Sequence, residues 1–284
     1  MPMTQDDIRR HYEHQWQPPE DPADLASRLT YSSPVEDAVA YPIYERLIAD
    51  HRLRVDGGRV LDVGCGCGRW IRFLLERHVP RELLGIDFAA SSVQLLEQWA
   101  GTTAPPAGCE LSFATADITD PDLPDLGRFD LINVGNVLFH IPETEKFATA
   151  LTNLARLTAP DGRIVTTEYL PRRTVRTDWM MVRDRYAFEA ACTDAGLRIA
   201  DIRASCFFAN DPMGLDGPDS GVRGHFHRAR ANMRAFIAAM DDAPSRAFAV
   251  NLLADIDRAA LAFCRERIAP IDLPSQKLVV LARA

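Results

Sequence analysis

Apolar residues recur at every fourth position at Ile8, Tyr12 and Trp16, which places them on one helical face and predicts a helix over residues 4–16. The Pro- and acid-rich stretch QPPEDPAD ends that pattern. A second helix is announced by Ser33-Pro34-Val35-Glu36: a capping hydroxyl, a proline suited to the first helical position, and a glutamate three residues after the cap. It should run to about residue 54, with Pro42 kinking or dividing it. From residue 59 onward, short apolar runs alternate with longer amphipathic ones. Strands are predicted at 59–63, 83–86, 111–114, 129–134 and 163–169, with helices at about 67–78, 91–100, 143–158 and 183–195. Pro160-Asp161-Gly162 predicts a turn just before the fifth strand. Strands alternating with helices imply a parallel sheet wrapped by helices, because parallel neighbours need crossovers. The near-continuous apolar strands fit a sheet covered on both faces.

After residue 196 the grammar changes. Residues 197–208 read as one strand and 276–283 as another, separated by an insertion, 209–275. Its opening, ANDPMGLDGPDSGV, is dense in Gly and Pro and predicts a loop. Two amphipathic helices follow, one carrying Phe226, Met233, Phe236, Ile237 and Met240, the other Phe248, Leu252, Leu253, Ile256 and Phe263. Each apolar stripe needs a surface to cover.

Composition narrows the function classes. The 284 residues carry 32 Lys and Arg against 40 Asp and Glu, a net charge of -8, which disfavours a nucleic-acid partner. No run approaches the ~20 apolar residues that span a bilayer, and the first residues lack a secretory apolar run; a cytoplasmic protein without membrane contact is expected. Six cysteines in a chain of this length do not make a disulfide framework. With no CxxC pair, no metal site is expected, and Cys65 and Cys67 read as small loop fillers.

The chemistry concentrates in VLDVGCGCGRW, residues 60–70: a buried strand, a glycine-dense turn, then a helix. Gly64, Gly66 and Gly68 remove side chains where the chain turns sharply and a ligand must touch backbone. The helix that follows offers free N–H groups and a partial positive charge. Two cofactor classes compete. A dinucleotide fingerprint wants a third glycine at position 69, which is Arg. Asp62, two residues before the first glycine, suits a cationic ligand such as the sulfonium and ammonium of S-adenosylmethionine (SAM). Asp87, in LLGIDFAAS, stands where a carboxylate accepts ribose hydroxyls, which both cofactor classes present. Asp117, in FATADIT, can accept from an adenine amino group, with Ile118 against the ring.

The ordered series VLDVGCGCG, GID, ADI, FDLINVGNVLFH and APDGRIVTTEYL resembles the class I SAM-dependent methyltransferase family over roughly residues 55–208 plus the last strand. The resemblance implies an α/β, Rossmann-like, doubly wound seven-stranded sheet of order 3-2-1-4-5-7-6 with strand 7 antiparallel. It implies N-terminal helices over the site (1–54), a SAM-binding core (55–208) and a final core strand (276–284), between which the residue pattern places the two-helix insertion 209–275, separating strands 6 and 7. Asp62, Gly64, Cys65, Gly66 and Gly68 would frame the methionine part, Asp87 and Phe88 the ribose side, and Asp117 with Ile118 the adenine. Asn133, Val134, Gly135 and Asn136 would pass beside the sulfonium, and Tyr31 would belong to a lid over the cofactor. The insertion departs from the family's usual close hairpin of strands 6 and 7, and is expected to be a substrate cap or a homodimer contact.

Methyl transfer needs a base only when the acceptor loses a proton. His140, just after strand 4, and Glu168, at the end of strand 5, are the candidates. Tyr12, Trp16, Asn136, Arg172 and His225 are the candidate substrate contacts. Residues 171–235 carry three more Arg than acids, while the rest of the chain has eleven more acids than bases; this admits an anionic acceptor. An Asn-Pro-Pro-Tyr motif is absent, and strand 4 ends INVGN. The expected activity is methylation of a small molecule, of secondary metabolism or sugar-like, with O-methylation favoured. The alternatives are a SAM-binding scaffold without catalysis and, against Arg69, a nucleotide-cofactor oxidoreductase.

Overall fold

The computed structural model describes residues 4–30, 33–210, 221–269, 273 and 276–284. Helices α1 (Gln5–Gln15), α2 (Leu25–Arg28) and α3 (Pro34–Asp50) precede the sheet. Then β1 (Arg59–Val63), α4 (Arg69–Arg77), β2 (Glu82–Asp87), α5 (Ala90–Ala100), β3 (Glu110–Thr115) and β4 (Phe129–Val134) alternate. Helix α6 (Thr144–Leu157) leads into β5 (Thr158–Glu168), a short hairpin β6 (Val175–Arg176) and β7 (Met181–Val182), α7 (Arg185–Asp194) and β8 (Leu197–Ala204). The insertion supplies α8 (Gly221–Ala238) and α9 (Ala243–Arg265), and β9 (Lys277–Arg283) completes the chain.

The main sheet has seven strands in the order β3-β2-β1-β4-β5-β9-β8. β9 runs antiparallel to both β5 and β8, while β1 to β5 pair in parallel. This is the predicted 3-2-1-4-5-7-6 order, the last two strands of the sheet being β8 and β9 in the full count. One buried cluster lies on each face. Val60, Leu83 and Leu131 point to the side covered by α3, α4 and α5. Leu61, Ile86 and Ile132 point to the side covered by α6 and α7. Alternate residues of one strand thus enter opposite cores, which explains why these strands read as unbroken apolar runs.

Several local expectations are corrected. Pro160-Asp161-Gly162 lies inside β5 as a bulge: Phe129 pairs with Thr158 but Leu131 pairs with Arg163. Between these pairs one residue on β4, Asp130, stands opposite four on β5, 159–162, so the turn residues take up the excess length. Pro42 does not divide α3, which ends at Asp50 rather than near 54. Ser33 occupies the cap position without a side-chain cap bond, because Glu36 is turned inward to Arg69 and makes no capping box. The strand predicted to reach residue 208 stops at Ala204. The amides of Phe207 and Ala209 donate instead to the Asp257 carboxylate of α9, at 2.8 and 2.9 Å. On α9 the buried face is Ala249, Ala254, Asp257 and Leu261, packed along α3. The larger stripe is left in solvent: Phe248 is 70% exposed and Phe263 61%, with Leu252 and Ile256 also open.

Candidate active site

From β1 the chain turns through Gly64-Cys65-Gly66-Cys67-Gly68 into α4. Gly64 and Gly66 have φ of +67° and +48°, where an L side chain is strained. Gly64 also lacks room, since a Cβ there would stand 2.3 Å from Val137 Cγ2. The loop therefore lies close against the turn after β4. Together with the residues that follow β2 and β3 they line a cleft at the carboxyl ends of these strands, the functional edge of an open α/β sheet. It holds about 930 Å³ of atom-free space, part of it open to solvent, within the size range of small-molecule sites.

Three predicted acids take different places. Asp87 lines the cleft and accepts the amides of Gly66 and Ala89, both at 2.9 Å. Burial raises its carboxyl to about 6, and the two amides oppose the rise. Asp117 also lines the cleft. Its Oδ1 accepts from the Thr119 amide at 2.8 Å and its Oδ2 pairs with Arg9. Asp62 is buried behind the loop and does not line the cleft. There Asn133 Nδ2 donates to its Oδ1 at 2.6 Å, and the Tyr44 hydroxyl donates to Asn133 Oδ1 at 3.0 Å. Burial pushes the Asp62 carboxyl up to about 7, and the nearby Asp87 charge adds to the rise.

Helix α1 closes the opposite side. It is fixed by a capping box between Thr4 and Asp7, and its Ile8–Tyr12–Trp16 face lines the cleft. Tyr12 stacks on Trp16 with ring centroids 6.4 Å apart. Two charged residues that periodicity did not single out tie the helix down. Arg9 reaches Asp117, and Glu13 accepts the amides of Ala90 and Ser91 at 2.8 and 3.1 Å. Glu13 thereby caps α5 from another helix. The missed signal was the i, i+4 pair Arg9 and Glu13, one step around from the apolar face.

His140 lies on the cleft wall with Nε2 3.2 Å from the Tyr12 hydroxyl and Nδ1 3.2 Å from the Trp179 carbonyl. A carbonyl only accepts, so Nδ1 carries the proton and the Nε2 lone pair accepts from the Tyr12 hydroxyl. Burial lowers His140 to about 4, which keeps the imidazole neutral at physiological pH.

The other candidates separate from the cleft. Glu168 is buried at the end of β5, where the Thr166 hydroxyl donates to it at 3.1 Å; burial raises its carboxyl to about 8, and it does not line the cleft. Its strand-end position, read as the functional edge, turns instead into the packing beneath β5. Arg172 is exposed in the turn after β5, and His225 is exposed on α8 with Arg228 2.8 Å from its Nδ1. Neither reaches the cleft, because both lie on solvent-facing segments beyond its rim. Gly135 and Asn136 line it, whereas Asn133 and Val134 are buried in β4. Cys65, Phe88, Ile118 and Gly66 line it, and Gly68 starts α4 with φ +76°. Tyr31 lies outside the described residues.

Two buried polar atoms on the cleft wall have no protein partner among the described residues: Trp70 Nε1 and Gln5 Oε1. Unsatisfied groups of this kind are costly unless a ligand or water meets them. With Asp87 at the β2 end and a bare glycine backbone at the β1 end, they fit an adenosine-type ligand with a polar amino-acid tail. Among the described residues no group of three His, Cys, Asp or Glu is placed to hold a metal, and no helix is long and apolar enough to cross a membrane.

Known proteins agree with the geometry. A family model described as a methyltransferase domain matches residues 60–162. The demethylmenaquinone methyltransferase of Thermus thermophilus is 32% identical over 45% of this chain and 54% of its own. A ubiquinone biosynthesis O-methyltransferase from Alkalilimnicola ehrlichii is 31% identical over 39% of this chain and 41% of its own. The chain spans about half the length of the curated relatives it matches. The fold is shared with the N-methyltransferase NodS of Bradyrhizobium japonicum, solved with S-adenosyl-l-homocysteine, at 19% identity and TM-score 0.51 over 70% of this chain and 90% of that one. It is also shared with the CcbJ methyltransferase of Streptomyces caelestis, at 12% identity and TM-score 0.52 over 89% and 91%. The cleft, the glycine turn and these likenesses converge: the chain carries a methyltransferase domain over residues 60–162, in a fold shared with a methyltransferase solved with S-adenosyl-l-homocysteine.

Proposed function

We propose that the protein transfers a methyl group from SAM to a hydroxyl of a small-molecule acceptor held between α1 and the turn after β4. Bound SAM supplies a carbon activated by its sulfonium. The observation that carries the reading is the Tyr12–His140 pair on the wall of the same cleft that Asp87 and the glycine turn line. Gly64, Gly66 and the Asp87 carboxylate would hold the nucleoside and its tail. Tyr12 and Trp16 would cover the acceptor and exclude water. A hydroxyl oxygen that gains a methyl group becomes strongly acidic, so His140 Nε2 can take its proton even with basicity reduced by burial. The Trp179 carbonyl steadies the resulting imidazolium through Nδ1–H. Relatives named for demethylmenaquinone, ubiquinone biosynthesis and tocopherol methylation support a small acceptor.

The test is binding followed by turnover. Wild-type protein should bind SAM and S-adenosylhomocysteine, and should pass a labelled methyl group from SAM to hydroxylated small molecules in a panel. Absence of nucleoside binding overturns the reading; binding with label appearing only on amines or carbon overturns its O-methylation part.

The exposed α9 stripe also supports a homodimer. Antiparallel pairing of two α9 helices sets Phe248 against Phe263 and Leu252 against Ala259, with Ile256 beside the two-fold axis, and such a large-to-small match is self-complementary.

A further inference from the structure

The hairpin of β6 and β7 is fastened to the segment that carries His140. Three successive residues of that segment meet it. His140 Nδ1 donates to the Trp179 carbonyl at 3.2 Å, the Ile141 carbonyl accepts from Arg183 Nη2 at 2.9 Å, and the Pro142 carbonyl accepts from Arg176 Nη2 at 3.4 Å. Thr177 closes the turn between the two strands: its hydroxyl accepts the Met180 amide at 3.1 Å, and its own amide donates to the Met180 carbonyl at 2.9 Å. The turn presents Trp179, which stays 40% exposed although its carbonyl is engaged.

The Trp179 indole reaches α1. Its ring centroid lies 4.5 Å from that of His11, edge to face, and His11 lies 5.2 Å from the Tyr12 ring. Tyr12 in turn bonds His140. The four residues therefore close a circuit, His140 to Trp179 to His11 to Tyr12, that joins the hairpin to the helix. Tyr12 and His140 line the cleft, while His11 and Trp179 stand beyond them. Phe139 adds another ring, 4.7 Å from that of His140. Two charged side chains of α1 are engaged elsewhere, Arg9 with Asp117 and Glu13 with the amides that open α5.

We propose that Trp179 and His11 form the stacking wall of the acceptor site, and that the acceptor is a planar aromatic compound bearing the hydroxyl. The proposal rests on the methyl-transfer reading of the cleft, with His140 receiving the hydroxyl proton. The nucleoside occupies the side of the Tyr12–His140 pair nearest the strand ends. A hydroxyl that reaches His140 Nε2 displaces the Tyr12 hydroxyl, and the body of the acceptor then lies between α1 and the hairpin. What it meets there is the faces and edges of rings. A planar aromatic body gains stacking on such a wall beyond its apolar burial. A sugar would bring several hydroxyls to a wall short of polar partners and lose their hydration. An ammonium compound also favours ring faces. Against it, the segment 171–184 carries Arg172, Arg173, Arg176 and Arg183 but only Asp178 and Asp184, and Asp184 is engaged in capping α7. That excess of positive charge repels a cation.

Calorimetric titration of the full chain saturated with S-adenosylhomocysteine reads the acceptor site without turnover. The probes are 2-naphthol, its saturated counterpart decahydro-2-naphthol, and tetramethylammonium. Wild-type protein should bind 2-naphthol about fivefold or more tighter than the saturated compound. Trp179→Ala keeps the backbone carbonyl that holds His140. It should weaken 2-naphthol about threefold to tenfold, change the saturated compound by less than about twofold and leave S-adenosylhomocysteine affinity as it was. Trp179→Phe should recover most of the loss. His11→Ala, on the other element, should weaken 2-naphthol in the same selective way, and less than additively with Trp179→Ala, because the two rings touch. Equal losses for the planar and the saturated compound in Trp179→Ala, or unchanged 2-naphthol binding in both alanine variants, overturn the proposal. So does a wild-type protein that binds neither compound, that prefers the saturated one, or that binds tetramethylammonium more tightly than 2-naphthol. Should Trp179→Ala fail to fold, His11→Ala alone decides. Wild-type protein that binds no S-adenosylhomocysteine would remove the methyl-transfer reading and this wall together. Nucleoside binding with no preference between the planar and the saturated compound is a different result, and overturns the wall alone.

Discussion

Asp62→Asn should stabilise the cofactor-free protein progressively as the pH rises. The Asp62 carboxyl is buried at 1% exposure and accepts from Asn133 Nδ2 at 2.6 Å. Burial lifts it from an ordinary 3.8 to about 7. A carboxyl whose folded value is raised favours the fold fully below pH ~4, where both states are protonated, and that contribution is lost as the pH rises through about 7. At ~1.4 kcal/mol per unit the loss is at most about 4 kcal/mol, and relaxation around the charge brings the expectation to about 2–4 kcal/mol. Asparagine keeps the oxygen that Asn133 needs and never ionises. Any fixed cost of placing its NH₂ group is the same at every pH. The effect of the buried charge therefore appears in the pH slope of the difference between variant and wild type. Urea unfolding at pH 4.5, 6, 7 and 8 measures it. Asp87 and Glu168, raised to about 6 and about 8, titrate over the same range in both proteins, so most of their effect cancels. A stability difference that stays constant within ~0.5 kcal/mol across this range would refute the account of Asp62.

His140→Phe should abolish most turnover with a hydroxyl acceptor and leave S-adenosylhomocysteine affinity within about twofold, since the ring faces Tyr12 rather than Asp87; equal loss of binding and turnover would make His140 a packing residue. Tyr12→Phe should reduce turnover less, because Nε2 keeps its lone pair, and steady-state rates on the same acceptor check the order. Gly64→Ala should lower stability by about 2–4 kcal/mol, from a left-handed backbone and a Cβ 2.3 Å from Val137; a melting temperature equal to wild type contradicts the packed turn. Phe248→Asp with Phe263→Asp should convert a dimer to a monomer in sedimentation without altering the cleft; an unchanged mass for wild type and variant excludes the α9 contact.

The central strands were legible because burial on both faces leaves little choice of residue: β1 and β4 begin and end where their apolar runs do. The glycine turn was legible for a related reason, since positive φ and close approach to Val137 both demand the missing side chain. What the sequence obscured were residues whose role depends on a distant partner. Glu36 reads as a capping residue, yet Arg69, 33 positions later, draws it inward. Arg69 itself reads only as the residue that spoils a dinucleotide fingerprint. Gln276 and Asn210 lie 66 positions apart and meet because β8 and β9 bring the two ends of the insertion together. Glu168 shows the reverse error: a strand-end acid signals the functional edge only if its side chain points out of the sheet, and this one points into the packing.

Besides the Gln5 amide, which donates to Glu143 at 3.2 Å, three side chains of helix α1 make polar contacts to three different segments behind the strand ends. Arg9 meets Asp117 after β3, Tyr12 meets His140 after β4, and Glu13 caps α5 after β2. Two of these partners, Asp117 and His140, line the cleft, and both are groups that a nucleoside or an acceptor would engage. Ligand entry must then exchange a contact with α1 for a contact with ligand, while Glu13 has no reason to let go of α5. The helix is thus held at the β2 side and released at the β3 and β4 sides. Arg9→Ala removes one of the contacts that entry must break and leaves the Glu13 cap in place. It should speed S-adenosylhomocysteine association in stopped-flow measurements, whereas Glu13→Gln should slow it by loosening the end that stays fixed. Equal association rates in the two variants would mean that α1 does not move in that way.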